Sequence, residues 1–146
     1  RVLFRSVNFG GHVMAGVSRV VLSAGLLEWS DFMANDAFRY LRTPMVVTSN
    51  SNDRTLNAAE WLTKRGQVLG LAPVQPGGLG SGVTLNILDF SDAARVGRLH
   101  DYLFVPASDT VRAVNQALLA NRPFDPGALM TPGLLTSAGN GIYRVA

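Results

Sequence analysis

The feature that most constrains this chain is an alternation of short runs rich in branched aliphatic residues with longer segments of helical spacing. "TPMVVTS" (43–49), "QVLGLAPV" (67–74), "VTLNILDF" (83–90) and "LFVPAS" (103–108) read as strands, being short, apolar and bounded by turn residues. "RVLF" (1–4) reads as an opening strand before the glycine turn "SVNFGG", and "GIYRVA" (141–146) as a final edge strand. Helices are expected from His12 to about Trp29, over 30–43, from Thr55 to Arg65, over 91–102 and over 109–121. Strands that alternate with helices specify a mainly parallel sheet covered on both faces, an α/β three-layer sandwich.

At 146 residues the chain is one domain by length, 1–146, with a Gly/Pro-rich C-terminal tail over 123–146. Hydrophobic residues make up 47% and charged residues 16%, a globular composition. The formal charge of +3 rests almost wholly on arginine, but Arg1, Arg5, Arg19, Arg39, Arg42 and Arg54 are scattered. A nucleic-acid groove needs clustered cations, so no nucleic-acid partner is expected. With no cysteine, and with His12 and His100 far apart, neither a metal site nor a cofactor is expected. The most apolar stretch, "VMAGVSRVVLSAGLL" (13–27), is short for a bilayer and carries Arg19 in its middle, so it reads as a buried helix. No membrane partner is expected, and the expected compartment is the cytoplasm.

The segment "TSNSNDRT" (48–55) lies between a strand and the clearest helix of the sequence. In a parallel sheet, ligands bind outside the carboxyl ends of the strands, where loops lead into helices. Hydroxyls of Thr48, Ser49, Ser51 and Thr55 beside free amides at a helix N-terminus favour an anion such as phosphate, with Arg54 as a further cation. The same residue types also cap helices and form turns without any ligand. His12 follows the first glycine turn and is a further candidate ligand contact, whereas His100 and Asp101 fall at an expected helix end, where solvent or the helix dipole accounts for them. Trp29, Trp61, Phe32 and Phe38 read as core or dimer-interface residues.

"VVTSNSNDRTLNAAEWLTKRGQVLGLA" resembles the central segment of sugar isomerase (SIS) domains, where a strand enters a Ser-rich loop, a Thr and a helix. "FSDAARVGRLHDYLFVPASDT" resembles the next unit of that family, and "RVLFRSVNFGGHVMAG" its opening strand and glycine loop, so the likeness spans about residues 1–120. The resemblance implies a flavodoxin-like fold, a homo-oligomer and a phosphosugar ligand. It places the phosphate on Ser49, Ser51 and Thr55, with Ser6 or Asn8 alongside. The loop lacks the family's glycine, and Asn115 and Ala117 stand where the isomerase branch has glutamate and histidine. Without those groups the isomerase's proton shuttle has no base, so binding without catalysis is expected, and no catalytic residue is assigned. The competing reading, from low charge, many glycines and the C-terminal tail, is a structural or assembly subunit without a small-molecule ligand.

Overall fold

A computed structural model of the protein describes residues 17–23, 25–64, 66–105 and 107–146. Ser6, Asn8, His12 and the strand "RVLF" lie outside the described residues. Strands β1 (Val20–Ser23), β2 (Met45–Ser49), β3 (Leu85–Asp89), β4 (Leu135–Gly139) and β5 (Ile142–Val145) form a five-stranded sheet in the order β1-β2-β3-β5-β4. The pairings β1·β2, β2·β3 and β3·β5 are parallel, and only β4 runs antiparallel. The mixed α/β class expected from the alternation is therefore present.

All five residues of β2 are buried, as a central strand covered on both faces requires. Successive side chains of a strand point to opposite faces, and the core divides accordingly. Val46 and Leu88 pack with Val111, Val114 and Leu118 of helix α4 (Asp109–Leu119). Met45, Val47, Leu85 and Ile87 pack on the other face with Trp29 and Phe32 of α1 (Trp29–Ala34) and Phe38 of α2 (Asp36–Arg39). Phe32 stacks on Phe38 with ring centroids 4.9 Å apart and meets Trp29 edge-on. Helix α3 (Arg54–Thr63) buries Leu56 against Val68 and Leu71 in a smaller cluster, and α5 (Pro126–Met130) precedes β4.

Several expected elements are replaced. Residues 20–23 form β1 and not part of a helix, because Val20 and Val21 favour the pleated state and pair with Met45 and Val46. Arg19, inside the apolar stretch, instead caps the C-terminus of α4, its guanidinium donating to the carbonyls of Ala117, Leu118, Ala120 and Arg122. The helix expected over 30–43 breaks at Asn35, whose side chain caps α2. Residues 67–74 contribute only a bridge from Val68 to Glu28, since Gly70 and Pro73 interrupt the run and the amides of Leu71 and Ala72 turn back to Val68.

Residues 91–102 form consecutive turns and not a helix, with Arg95 and Gly97 in the left-handed region at φ 65° and 49°. Residues 103–105 continue as a turn, with Phe104 and Val105 exposed, so no strand forms there. The C-terminal tail is part of the sheet: β5 lies between β3 and β4, and β4 is the edge. Trp61, expected as core or interface, is 78% exposed on α3. Helix α3 ends on Lys64 at φ 52°, ahead of Gly66, where a glycine cap is expected from the sequence.

Candidate functional site

The carboxyl ends of β2 and β3 are adjacent, with Ser49 paired to Asp89. The turn after β2 closes when the Asp53 amide donates to the Asn50 carbonyl at 3.0 Å. Asp53 is fully buried, and its Oδ1 accepts the amides of Thr55 at 2.8 Å and Leu56 at 3.0 Å, starting α3. Asn50, also buried, accepts the Asn52 amide and donates from Nδ2 to the carbonyls of Gly97 and Leu99. The polar cluster thus holds its own turn and clasps the 91–101 segment.

That segment contributes the other half of the site. Asp89 Oδ1 accepts the Ser91 amide at 3.0 Å and its hydroxyl at 2.5 Å. Ser91 Oγ in turn accepts the Ser51 amide and the Ser51 hydroxyl, each at 2.9 Å. A chain of hydrogen bonds therefore runs from the Asp89 carboxylate through Ser91 to the exposed Ser51. Asn52 Nδ2 donates to the Ser91 carbonyl, and Asn57 Nδ2 to the Ser51 carbonyl.

His100 Nδ1 lies 2.8 Å from Asp53 Oδ2, and the imidazole is 42% exposed. His100 is not at a helix end, and its partner is Asp53, not the neighbouring Asp101. Two residues on, the buried Tyr102 hydroxyl donates to Thr48 Oγ1 at 3.1 Å. Burial pushes the Tyr102 phenol well above the usual tyrosine range, opposed by the Thr48 hydrogen bond and assisted by the negative charges of Asp53 and Asp89. Asn115 donates to the carbonyls of Tyr102 and Leu103 and is buried, which makes it a structural clasp and not a group at the loop surface.

The structure thus separates the residues singled out from sequence. Ser51, Arg54 and Thr55 are exposed, whereas Thr48 and Ser49 are buried beneath them. The Ser49 hydroxyl is a buried oxygen without a hydrogen-bond partner. The free amides expected at the helix start are occupied: those of Ser51, Asn52, Asp53, Thr55 and Leu56 all have acceptors within the two loops. Any anion here meets Arg54 and the Thr55 hydroxyl, not a row of bare amides, because the Ser91 and Ser51 protons are given to Asp89 and to Ser91. Asp89, Ser91 and His100 were not singled out as ligand contacts by the sequence, and only the adjacency of β2 and β3 brings them in. Beside the loop, Asn57, Glu60, Trp61, Leu62 and Lys64 line an open groove on α3.

Comparison with family models, with characterised proteins and with solved structures finds no match to this chain. Among the described residues no helix is long and apolar enough to cross a membrane, and no group of three or more His, Asp or Glu could hold a metal ion.

Proposed function

We propose that this chain binds a small phosphorylated or otherwise anionic ligand, with a phosphosugar as the type, at the loops following β2 and β3. The observation that carries the reading is the meeting of the Ser51 and Ser91 hydroxyls, 2.9 Å apart, at the carboxyl ends of adjacent parallel strands. With Ser91 donating to Asp89 and Ser51 to Ser91, the exposed Ser51 oxygen keeps lone pairs that accept from a ligand hydroxyl. Exposed Thr55 and Arg54 stand at the start of α3, where the helix dipole favours negative charge. Asp89, at the far end of the hydroxyl chain, is an acceptor suited to a sugar hydroxyl and not to a phosphate oxygen. The ligand accordingly lies with its phosphate toward Arg54 and its hydroxyls toward Asp89. The parallel strands and the helices on both faces support an α/β sandwich of the SIS-like kind, while the described order β1-β2-β3-β5-β4 runs one way where a flavodoxin-like sheet reverses. The reading is one of binding, in a sensor or a divergent isomerase.

The test is a thermal-shift panel of sugar phosphates and inorganic phosphate. A ligand at about a hundred times its Kd stabilises the native state by roughly 2.7 kcal/mol, and Ser51→Ala with Ser91→Ala removes that shift. Equal shifts in wild type and the double variant would sink the proposal.

A second reading, an assembly subunit, is favoured by one observation: Trp61 and Leu62 of α3 are 78% and 71% exposed, side by side. A native mass corresponding to a ring or shell, reduced by Trp61→Ser with Leu62→Ser, would support it. A monomer in both would remove it.

A further inference from the structure

We infer that His100 is a ligand-binding residue of this site, and that it selects ligands carrying a hydroxyl group through a lone pair fixed on Nε2. The inference rests on the binding reading above and names which part of the ligand meets this wall.

The argument begins with Asp53. Its Oδ1 is committed to two backbone amides, and Oδ2 faces His100 Nδ1 at 2.8 Å. A carboxylate only accepts hydrogen bonds, so Nδ1 carries the proton that Oδ2 receives. In the neutral ring the other nitrogen, Nε2, is then an acceptor. Among the described residues no hydrogen bond reaches Nε2, and the ring is 42% exposed. A buried carboxylate therefore sets the tautomer of an accessible imidazole.

Satisfying Asp53 does not by itself account for the arrangement. The backbone before His100 is held by Asn50 through the carbonyls of Gly97 and Leu99. The backbone after it is held by Asn115 through the carbonyls of Tyr102 and Leu103, and by the Tyr102 hydroxyl on Thr48. The ring is thus fixed from both sides and from Asp53. Its partner Asp53 is two residues from Ser51, so their Cα atoms are at most about 7.6 Å apart. The exposed Ser51 and the residue that holds His100 therefore belong to one short turn.

A lone pair on Nε2 attracts an O–H or N–H and repels a phosphate or carbonyl oxygen. Inorganic phosphate, with a single P–OH that its negative charge makes a poor donor, gains little from it, whereas a phosphosugar offers several neutral hydroxyls. Asp53→Asn reverses this: the amide oxygen still accepts the cap amides, but its NH2 donates to Nδ1, so the ring proton moves to Nε2.

The experiment measures Kd for fructose 6-phosphate and for inorganic phosphate at about pH 8, above the ordinary imidazole range. Wild type, His100→Ala and Asp53→Asn are compared, with 15N chemical shifts of the His100 ring recorded in wild type and Asp53→Asn. We expect His100→Ala to weaken fructose 6-phosphate about tenfold and inorganic phosphate less than twofold, as loss of one hydroxyl hydrogen bond implies, and Asp53→Asn to tighten inorganic phosphate, whose oxygens accept from the relocated proton. The ring shifts should show a proton on Nδ1 in wild type and on Nε2 in Asp53→Asn. An unchanged Kd for fructose 6-phosphate in His100→Ala, or a wild-type proton on Nε2, overturns the inference while leaving the binding reading standing. Failure of wild type to bind either probe overturns the binding reading and this inference with it.

Discussion

Asp53 and His100 meet at 2.8 Å although 47 positions separate them, and the carboxylate that makes this contact is fully buried. One side chain therefore starts helix α3 and anchors the turns that follow β3. Asp53→Ala removes two cap hydrogen bonds and leaves the His100 Nδ1 without its partner, so stability should fall by about 2–3 kcal/mol. His100→Ala spares the cap and should cost about 1–2 kcal/mol, through the unpaired Oδ2. Urea unfolding of the two variants tests the order, and a larger loss for His100→Ala would contradict it.

Tyr102 links the same two loops through Thr48, and the pKa that its burial raises makes alkaline stability a readout of that burial. An unfolded tyrosine ionises near pH 10, while the native one holds its proton. Above about pH 10 the unfolded state binds fewer protons than the native state, so stability falls as pH rises, by up to about 1.36 kcal/mol per pH unit. Below that pH the group contributes no slope. Tyr102→Phe should flatten the alkaline decline and cost about 1 kcal/mol at neutral pH for the lost hydrogen bond. Parallel slopes for wild type and variant between about pH 10 and 11 would refute the assignment.

Lys64 closes α3 at φ 52° and ψ 34°, a left-handed conformation that disfavours any residue with a Cβ. Lys64→Gly relieves that strain and should stabilise the protein by about 0.5–1 kcal/mol, after the greater unfolded freedom of glycine is counted. A lower denaturation midpoint in the variant would show that the Lys64 side chain makes a compensating contact.

What the sequence disclosed and what it hid follow one physical line. β2, β3, α3 and α4 were legible because each carries its own signal: a buried aliphatic run, a cap residue, or an apolar stripe such as Val111, Val114 and Leu118. The 67–74 and 91–105 segments were not legible, because their apolar residues are buried by turns whose partners are distant in sequence. β1 was hidden inside an apolar stretch that suits a helix equally well, and only pairing with β2 decides it. At the candidate site, Ser51, Arg54 and Thr55 are exposed residues to which local chemistry points, while Ser91, Asp89 and His100 are brought beside them by the alignment of two strands. Ser49 and Thr48 carry the same chemistry as Ser51, but their position within the last turn of a central strand buries them.

A further local signal lies in the C-terminal tail. Asn140 and Gly141 form the two-residue turn between β4 and β5, with φ 51° and 73°, and Asn-Gly is the dipeptide that most favours such a hairpin. That turn places β5 between β3 and β4 and leaves β4 as the edge strand. Gly141 is doubly constrained, since a Cβ there would stand 3.1 Å from the Leu85 carbonyl oxygen on β3. Gly141→Ala therefore adds left-handed strain to a backbone clash that no flexible side chain can relieve, and should cost about 2 kcal/mol or more. Asn140→Gly, with the same turn and no clash, should leave stability within about 1 kcal/mol. Thermal unfolding of both variants tests the hairpin, and equal midpoints would mean that the approach of Gly141 to Leu85 is not what holds β5 in register.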